Sequence, residues 1–320
     1  MFRIGILGAA DIAFNKFIPA LMKVEGVECA GVASNSPDKL KRFVEKYNVH
    51  VYSSYNEVIG DDSVDCVYIP LPPAFHYEWA KKALLAGKHV FLEKPSTTSA
   101  DDTKELVRIA GEKGLVVQEN YMFQFHSQLK EIENFIASGE LGKLRLVRTS
   151  FGFPRRAEGD FRYVKELGGG TMMDNGGYTI KLIDMLLGES MRLVSSQLDY
   201  DEKTGIDIFG TAEFVNDDGV IAQAAFGMDC QYQCSLELWG SRGRLTTGRI
   251  YTAPDGFKPV ALVETGAGSR NVELPSCDAF EESIKMYLRA VEDERLRESM
   301  AHELVRQAEF VDDVRGMDRK

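Results

Sequence analysis

The sequence predicts an α/β domain with a parallel, doubly wound sheet over residues 1–120, then an α+β domain with a large, mostly antiparallel open sheet over residues 121–320. Three observations carry that expectation. The first third alternates short β-branched runs with amphipathic segments. Strand-like stretches then follow one another with turn signals between them. A chain of 320 residues, 44% hydrophobic, suits two cores better than one.

In order, residues 2–8 read as a buried strand, 14–23 as a helix and 27–33 as a second strand. Ser36-Pro37 opens a helix running to about Tyr47, with proline in the first turn where its missing N–H costs nothing. A strand at 64–69, a helix at 77–86 and a strand at 89–92 follow. The segment 100–113 is helical with Gly114 as its cap, and 115–118 closes the parallel series. In the second domain, strands are expected at 143–153, 191–200, 207–215, 220–228 and 231–239, interrupted by a helix at 178–187. Asn216-Asp-Asp-Gly219 marks a turn, and 264–268 reads as a loop without a role. A long, charged amphipathic helix is expected to end the chain and to pack back on the first domain.

Charge narrows the function. Lys+Arg 38 against Asp+Glu 49 leaves a net −11, which repels nucleic acid and offers anionic membranes nothing. An anionic substrate therefore needs a local basic pocket. Cys29, Cys66, Cys230, Cys234 and Cys277 are scattered and odd in number, which argues for a reducing, cytoplasmic setting. Cys230 and Cys234 lack a neighbouring histidine, so no metal is expected. The apolar run behind Arg3 is ended by Asp11 too early for a signal peptide, and no stretch approaches the ~20 apolar residues of a membrane span.

The first strand runs into Gly8-Ala-Ala10-Asp11-Ile12-Ala13 and then a helix, the place where a Rossmann domain receives a dinucleotide pyrophosphate at a helix N-terminus. Ala10 replaces the usual middle glycine, so an ordinary tight turn competes with this reading. After the second strand, an NAD-selective site places an acid on the ribose. Here stand Ser34, Asn35 and Ser36 with Lys39 nearby, donors suited to a 2′-phosphate, so NADP is preferred to NAD. The competing reading is that Ser36 caps the next helix. Pro70, Leu71, Glu93 and Asn120, at later strand ends, join the expected cofactor set, and His76 either caps a helix or lies near the nicotinamide.

Lys94, between a buried strand and Pro95, sits at the sheet edge where ligands bind. Gly168-Gly169-Gly170 lets backbone approach a ligand, and Asp174 and Tyr178 share a helix face if the helix begins early. A glycine-rich loop with a capping Asp174 and a packing Tyr178 is the alternative.

On Glu93-Lys94-Pro95, the Gly8–Ala13 loop and the segment from Gly168 through Asp174 to Tyr178, the chain resembles the glucose-fructose oxidoreductase / inositol dehydrogenase (Gfo/Idh/MocA) family over nearly its whole length. Many members carry histidine where Tyr178 stands, and tyrosine there is similar to sugar ketoreductase and aldose oxidoreductase branches. Glu119–Phe123, Asp160-Phe-Arg162, Trp239–Gly243 and Arg249–Pro254 look most like nucleotide-sugar 3-ketoreductases.

The resemblance implies hydride transfer between nicotinamide and a sugar-type carbonyl or alcohol. Tyr178 would supply the proton, Lys94 would favour the phenolate or hold a ribose or substrate hydroxyl, and Asp174 would bind a sugar hydroxyl. His126 would line the substrate pocket or serve as a satisfied structural histidine, and Arg162, with Arg155 or Arg249, would meet a nucleotide diphosphate, the alternative for each arginine being a surface salt bridge. The resemblance also implies a homodimer or homotetramer through the C-terminal sheet. An aldose or dihydrodiol dehydrogenase acting on free substrates, and a non-catalytic dinucleotide or sugar sensor, are the other readings.

Overall fold

Runs that are buried on both faces form the core strands of the first unit. The computed structural model describes residues 1–157 and 159–317. Contacts divide the chain into two units, Met1–Asn120 with Phe280–Ala308, and Tyr121–Ala279 with the residues from Glu309 onward.

In the first unit, β1 (Phe2–Leu7) leads through a π-helical turn, Ala13–Phe17, into α1 (Ile18–Leu21). There follow β2 (Val27–Ala33), α2 (Pro37–Tyr47), α3 (Tyr55–Gly60), β3 (Cys66–Ile69), α4 (His76–Leu85), β4 (His89–Leu92), α5 (Ala100–Lys113) and β5 (Val117–Glu119). The sheet order is β2-β1-β3-β4-β5, every pair parallel. All of β3 is buried, as a parallel strand covered by helices on both faces must be. Gly114 ends α5 in the left-handed conformation at φ 65°, as its sequence position predicts.

Helix α3 escaped the sequence reading although its signal is present. Ser54 Oγ accepts the Glu57 N–H at 3.1 Å while the Glu57 carboxylate accepts the Ser53 N–H at 2.6 Å, a variant of the reciprocal capping box.

The second unit begins with α6 (Gln128–Ala137), also unread, then β6 (Leu144–Phe153), α7 (Gly177–Leu187), β7 (Arg192–Tyr200), β8 (Asp207–Val215), β9 (Ile221–Met228) and β10 (Gln233–Gly240). Three further strands, β11 (Gly243–Gly248), β12 (Val260–Thr265) and β13 (Gly268–Glu273), extend the sheet to eight, in the order β13-β12-β11-β10-β6-β9-β8-β7. Only β6 and β9 pair in parallel. The stretch 264–268 is no featureless loop: Glu264 and Thr265 end β12, and Gly268 starts β13. Its glycines obscured a hairpin whose strands alternate too weakly to read. One face of the sheet holds the core, where Phe214, Phe226, Leu236 and Leu238 meet Ile180, Leu182 and Ile183 of α7.

The expected single terminal helix is two, α8 (Ala279–Glu292) and α9 (Glu294–Met317), separated at Asp293, whose carboxylate accepts the Leu296 N–H at 3.1 Å. Residues 280–308 count with the first unit. Tyr287 shows why: its ring is fully buried, 5.0 Å from Phe91, and its hydroxyl lies 2.9 Å from Cys66 Sγ. Leu304 joins the first core, whereas Phe310, Val311 and Val314 join the second.

Replacing Tyr287→Ala should cost about 3–5 kcal/mol, as truncation of a buried aromatic does, whereas Tyr287→Phe should cost about 1 kcal/mol. Urea unfolding measures both, and a Tyr287→Ala loss no larger than that of Tyr287→Phe would contradict the placement of α8 in the first core.

Candidate active site

Strand order reverses between β1 and β3, so their carboxyl ends form the switch point at which open α/β sheets bind ligands. Gly8–Ala13 and Pro70-Leu71 lie there. Gly8 adopts φ +118°, its N–H donates to Ala33 O at 2.8 Å, and a Cβ on it would come 2.9 Å from Leu71 Cδ2. Only glycine permits that loop to lie flush. The helix starts at Asp11, and the Phe14 N–H donates back to Ala10 O at 3.1 Å, leaving the earliest N–H groups of Asp11, Ile12 and Ala13 as a helix N-terminus presents them. These residues fit a dinucleotide pyrophosphate. Ser36 makes no side-chain cap to α2; its N–H instead donates to Ser34 Oγ at 3.0 Å, so the capping alternative is not realised. Asn35 and Lys39 are exposed beside it.

Glu93 and Asn120 come together inside the first unit. Glu93 Oε1 accepts from Tyr68 Oη at 2.8 Å and from Asn120 Nδ2 at 2.9 Å, while Asn120 Oδ1 accepts from Ser283 Oγ of α8 at 2.9 Å. Burial pushes the Glu93 carboxyl up from its usual range, and the Asn120 and Tyr68 donors oppose that. Lys94 follows, half-buried, joined to Pro95 by a cis peptide bond.

His76 is fully buried. One ring nitrogen lies 2.8 Å from Pro95 O and the other 2.7 Å from Leu71 O. It is the first residue of α4, not its cap, and with one nitrogen beside each carbonyl, one of them donating, it lies behind the Leu71 loop and the Lys94-Pro95 turn. Burial pushes its pKa below the ordinary imidazole value.

In the second unit, Gly169 closely approaches backbone and Gly170 a side-chain carboxylate. The Gly169 and Gly170 N–H groups donate to Val164 O and Arg162 O at 3.0 and 2.9 Å, and a Cβ on Gly169 would sit 2.5 Å from Arg162 O. Gly170, at φ +119°, leaves room for the Asp207 carboxylate, which accepts the Met172 N–H at 2.5 Å. That carboxylate caps a π-helical turn, Met172–Gly176, running into α7. The helix therefore begins early enough to hold both Asp174 and Tyr178. Such π turns recur at functional sites, and this chain has one here and one beside the Gly8 loop. Asn175 anchors the turn to β6 and β9, donating to Phe151 O at 2.6 Å and Gly227 O at 3.0 Å.

Arg162 does not stand open as a phosphate fork, which corrects the expectation for it. Its Nε donates to Asp174 Oδ2 at 2.8 Å and its Nη1 to Asp160 Oδ1 at 3.1 Å. Burial works against the guanidinium charge, and the two carboxylates more than offset it, raising its pKa. The contact with Arg162 fixes the orientation of the Asp174 carboxyl group.

Tyr178 is buried among Tyr121, Phe123, Phe151 and Tyr251, with ring centroids 4.8 to 5.7 Å away, and its hydroxyl lies 3.7 Å from Met122 Sδ. His126 is buried, its Nδ1 accepting the Gln128 N–H at 3.2 Å; burial lowers its pKa, so the ring is neutral with its proton on Nε2. Arg155 pairs with Asp229 at 3.3 Å, and Arg249, at φ 56°, lies 5.3 Å over the Tyr232 ring; both keep an exposed guanidinium. Asp160, Tyr121, Phe123 and Tyr251 lie in motifs that the sequence shows but that carry no assigned role there, whereas Phe151 and Asp207 lie on strands and give no local signal.

A model described as "Oxidoreductase family, NAD-binding Rossmann fold" (GFO_IDH_MocA) matches residues 2–121, and one for the GFO/IDH/MocA C-terminal domain matches residues 129–246. The dTDP-3,4-didehydro-2,6-dideoxy-alpha-D-glucose 3-reductase of Actinomadura kijaniata is 36% identical over 313 residues, 98% of this chain and 94% of that protein. The enzyme of the same name from Streptomyces violaceoruber is 37% identical over 323 residues, with the same shares covered. Among solved structures, KijD10, a 3-ketoreductase from Actinomadura kijaniata in complex with NADP and TDP-benzene, superimposes with a TM-score of 0.95 at 35% identity, covering 99% of this chain and 97% of that one.

Gly169→Ala drives a methyl against the Arg162 carbonyl and should cost about 1–3 kcal/mol. Gly111→Ala, in α5 with open space around it, should gain about 0.5–1 kcal/mol. Thermal unfolding separates the two, and equal shifts would refute the close approach at Gly169.

Proposed function

The chain belongs to the GFO/IDH/MocA oxidoreductase family, and from that premise we propose that it reduces the keto group of a nucleotide-linked sugar, drawing on NADPH. The observation that carries the reading is the start of α7, where a proton donor, Tyr178, and a carboxyl group hydrogen-bonded by Arg162, Asp174, stand one turn apart. The nucleotide-linked substrate is supported by the names of the relatives that match almost end to end, and by exposed arginines in a chain of net charge −11.

Bound nicotinamide supplies the hydride that adds to the carbonyl carbon. Tyr178 gives its hydroxyl proton to the carbonyl oxygen, which becomes the new sugar hydroxyl. Its aromatic surroundings keep the ring fixed. Asp174 accepts a hydrogen bond from a neighbouring sugar hydroxyl and so orients the ring, and Arg162 holds that acceptor in place. Lys94 is assigned the positive charge that stabilises the developing alkoxide or holds the cofactor ribose. Gly8, Ala10, Asp11, Ile12 and Ala13 are assigned to the pyrophosphate, and Ser34, Asn35, Ser36 and Lys39 to the adenosine ribose and its phosphate. Pro70, Leu71, Glu93 and Asn120 shape the nicotinamide end, with His76 behind them. His126 is assigned a substrate acceptor through its Nε2–H, and Arg155 and Arg249 the diphosphate.

Absorbance of reduced nicotinamide tests this directly. NADPH with a nucleotide-linked 3-keto sugar should turn over, and Lys94→Met and Tyr178→Phe should each lower kcat by about 10²–10⁴ with unchanged thermal unfolding. Oxidation of free aldoses with no turnover of nucleotide-linked ketones would instead make the protein a sugar dehydrogenase.

We also infer self-association through the outer face of the eight-stranded sheet. Trp239, Leu146 and Ile221 are adjacent in register across β10, β6 and β9 and turn outward, Trp239 being 54% exposed. Sedimentation of the wild-type chain should show a dimer or tetramer, and Trp239→Lys should move it toward monomer. A wild-type monomer would end this reading.

A further inference from the structure

Met122 lies in the Glu119–Phe123 segment, at the head of a one-turn helix, Met122–Phe125. The Tyr178 hydroxyl donates toward its sulfur, over 3.7 Å. Tyr121, Phe123, Phe151 and Tyr251 pack against the Tyr178 ring, so the ring stays in place and the hydroxyl turns only about its own C–O bond. A thioether is a weak acceptor. A proton donor resting on one loses little when it leaves for a carbonyl oxygen.

The sulfur is also within reach of a small oxidant. Met122 is partly exposed, whereas Met172, Met173, Met191 and Met228 of the same unit are buried. Space that admits a sugar ketone to the Tyr178 hydroxyl admits a smaller molecule to a sulfur 3.7 Å from it. Thiols compete less well for such an oxidant, because the thiolate is the form that reacts. Burial pushes the Cys29 thiol up to about 12 and raises those of Cys66 and Cys230 as well.

We propose that Met122 is an oxidation site that governs Tyr178: a peroxide converts its thioether to the sulfoxide, whose oxygen takes the hydrogen bond that the substrate carbonyl needs. The proposal rests on the reading of Tyr178 as proton donor. In the step, the O–O bond of hydrogen peroxide breaks and an S–O bond forms. The sulfur gives up two electrons, the peroxide gains them, and the second oxygen leaves as water. A soft apolar group thereby becomes a polar, chiral one beside the Tyr178 hydroxyl. Methionine sulfoxide reductases reverse the change, a dithiol supplying two electrons and two protons while the sulfoxide oxygen leaves as water.

The test treats the full chain with hydrogen peroxide, removes the excess, and follows NADPH turnover of a nucleotide-linked 3-keto sugar alongside peptide mass mapping. Wild-type kcat should fall about 10-fold or more as oxygen is added at Met122, within what a general acid contributes, while NADPH affinity read by fluorescence holds. Methionine sulfoxide reductases with dithiothreitol should restore the rate, and dithiothreitol alone should not, which separates Met122 from the 5 cysteines. Met122→Leu has no sulfur to oxidise and should keep its own starting rate through the treatment. Met122→Gln, a fixed polar acceptor, should be slow before any treatment, with unchanged thermal unfolding. Wild type that keeps its untreated rate with Met122 oxidised, or Met122→Leu inactivated as fast as wild type, would overturn the proposal. So would Met122 left unoxidised while exposed Met22 is converted. Untreated wild type without turnover would instead remove the ketoreductase reading, and the switch with it.

Discussion

The second unit turns on the Asp207 carboxylate. It accepts the Met172 N–H at the head of the π-helical turn, and it fits only because Gly170 has no side chain in that space. A buried carboxylate at a helix N-terminus satisfies an otherwise orphaned donor and lies favourably with the helix dipole. Because that end is fixed, Asp174 and Tyr178 have definite positions. Because Gly169 also presses on Arg162 and Val164, the segment carrying Arg162 is held where its guanidinium meets Asp174.

This arrangement places charge with little redundancy. Arg162 is occupied by two carboxylates, so it serves the acceptor Asp174 instead of an incoming phosphate. A buried guanidinium tolerates its burial here because two carboxylates lie against it. The cations left with exposed guanidinium groups, such as Arg155 and Arg249, are rim residues with weaker partners. The first unit follows a comparable logic: Glu93, Tyr68, Asn120 and Ser283 form one hydrogen-bonded chain, tying the residue before Lys94 to α8. His76 adds two links to backbone, so the Lys94-Pro95 turn is supported from both sides.

Helix α8 has a further consequence for folding. Tyr287 and Ser283 complete the first unit although Ser283 arrives 163 residues after its partner Asn120. Contacts of that sequence separation carry a loop-closure entropy that local pairs avoid, so the first sheet gains its last cover only when the far end of the chain is present.

Much was legible locally. Strands β2, β4 and β8 and helices α2 and α5 were read with the ends they have, since buried β-branched runs, Pro37 in a first turn and Gly114 at a C-cap act over a few residues. Lys94 at a strand end, Tyr178 and Asp174 four apart, and the Gly8 loop were legible for the same reason. What the sequence alone determined was therefore which residue types stand at which element ends. Tertiary structure decided what each one meets: that Gly169 approaches protein backbone and Gly170 the Asp207 carboxylate, that Arg162 is taken by Asp174, that Arg42 reaches Asp11, and that His76 faces two carbonyls. Such pairings depend on the fold bringing distant segments within about 3 Å, and hydrogen bonds and close packing leave no periodic trace in the chain for pattern to reveal.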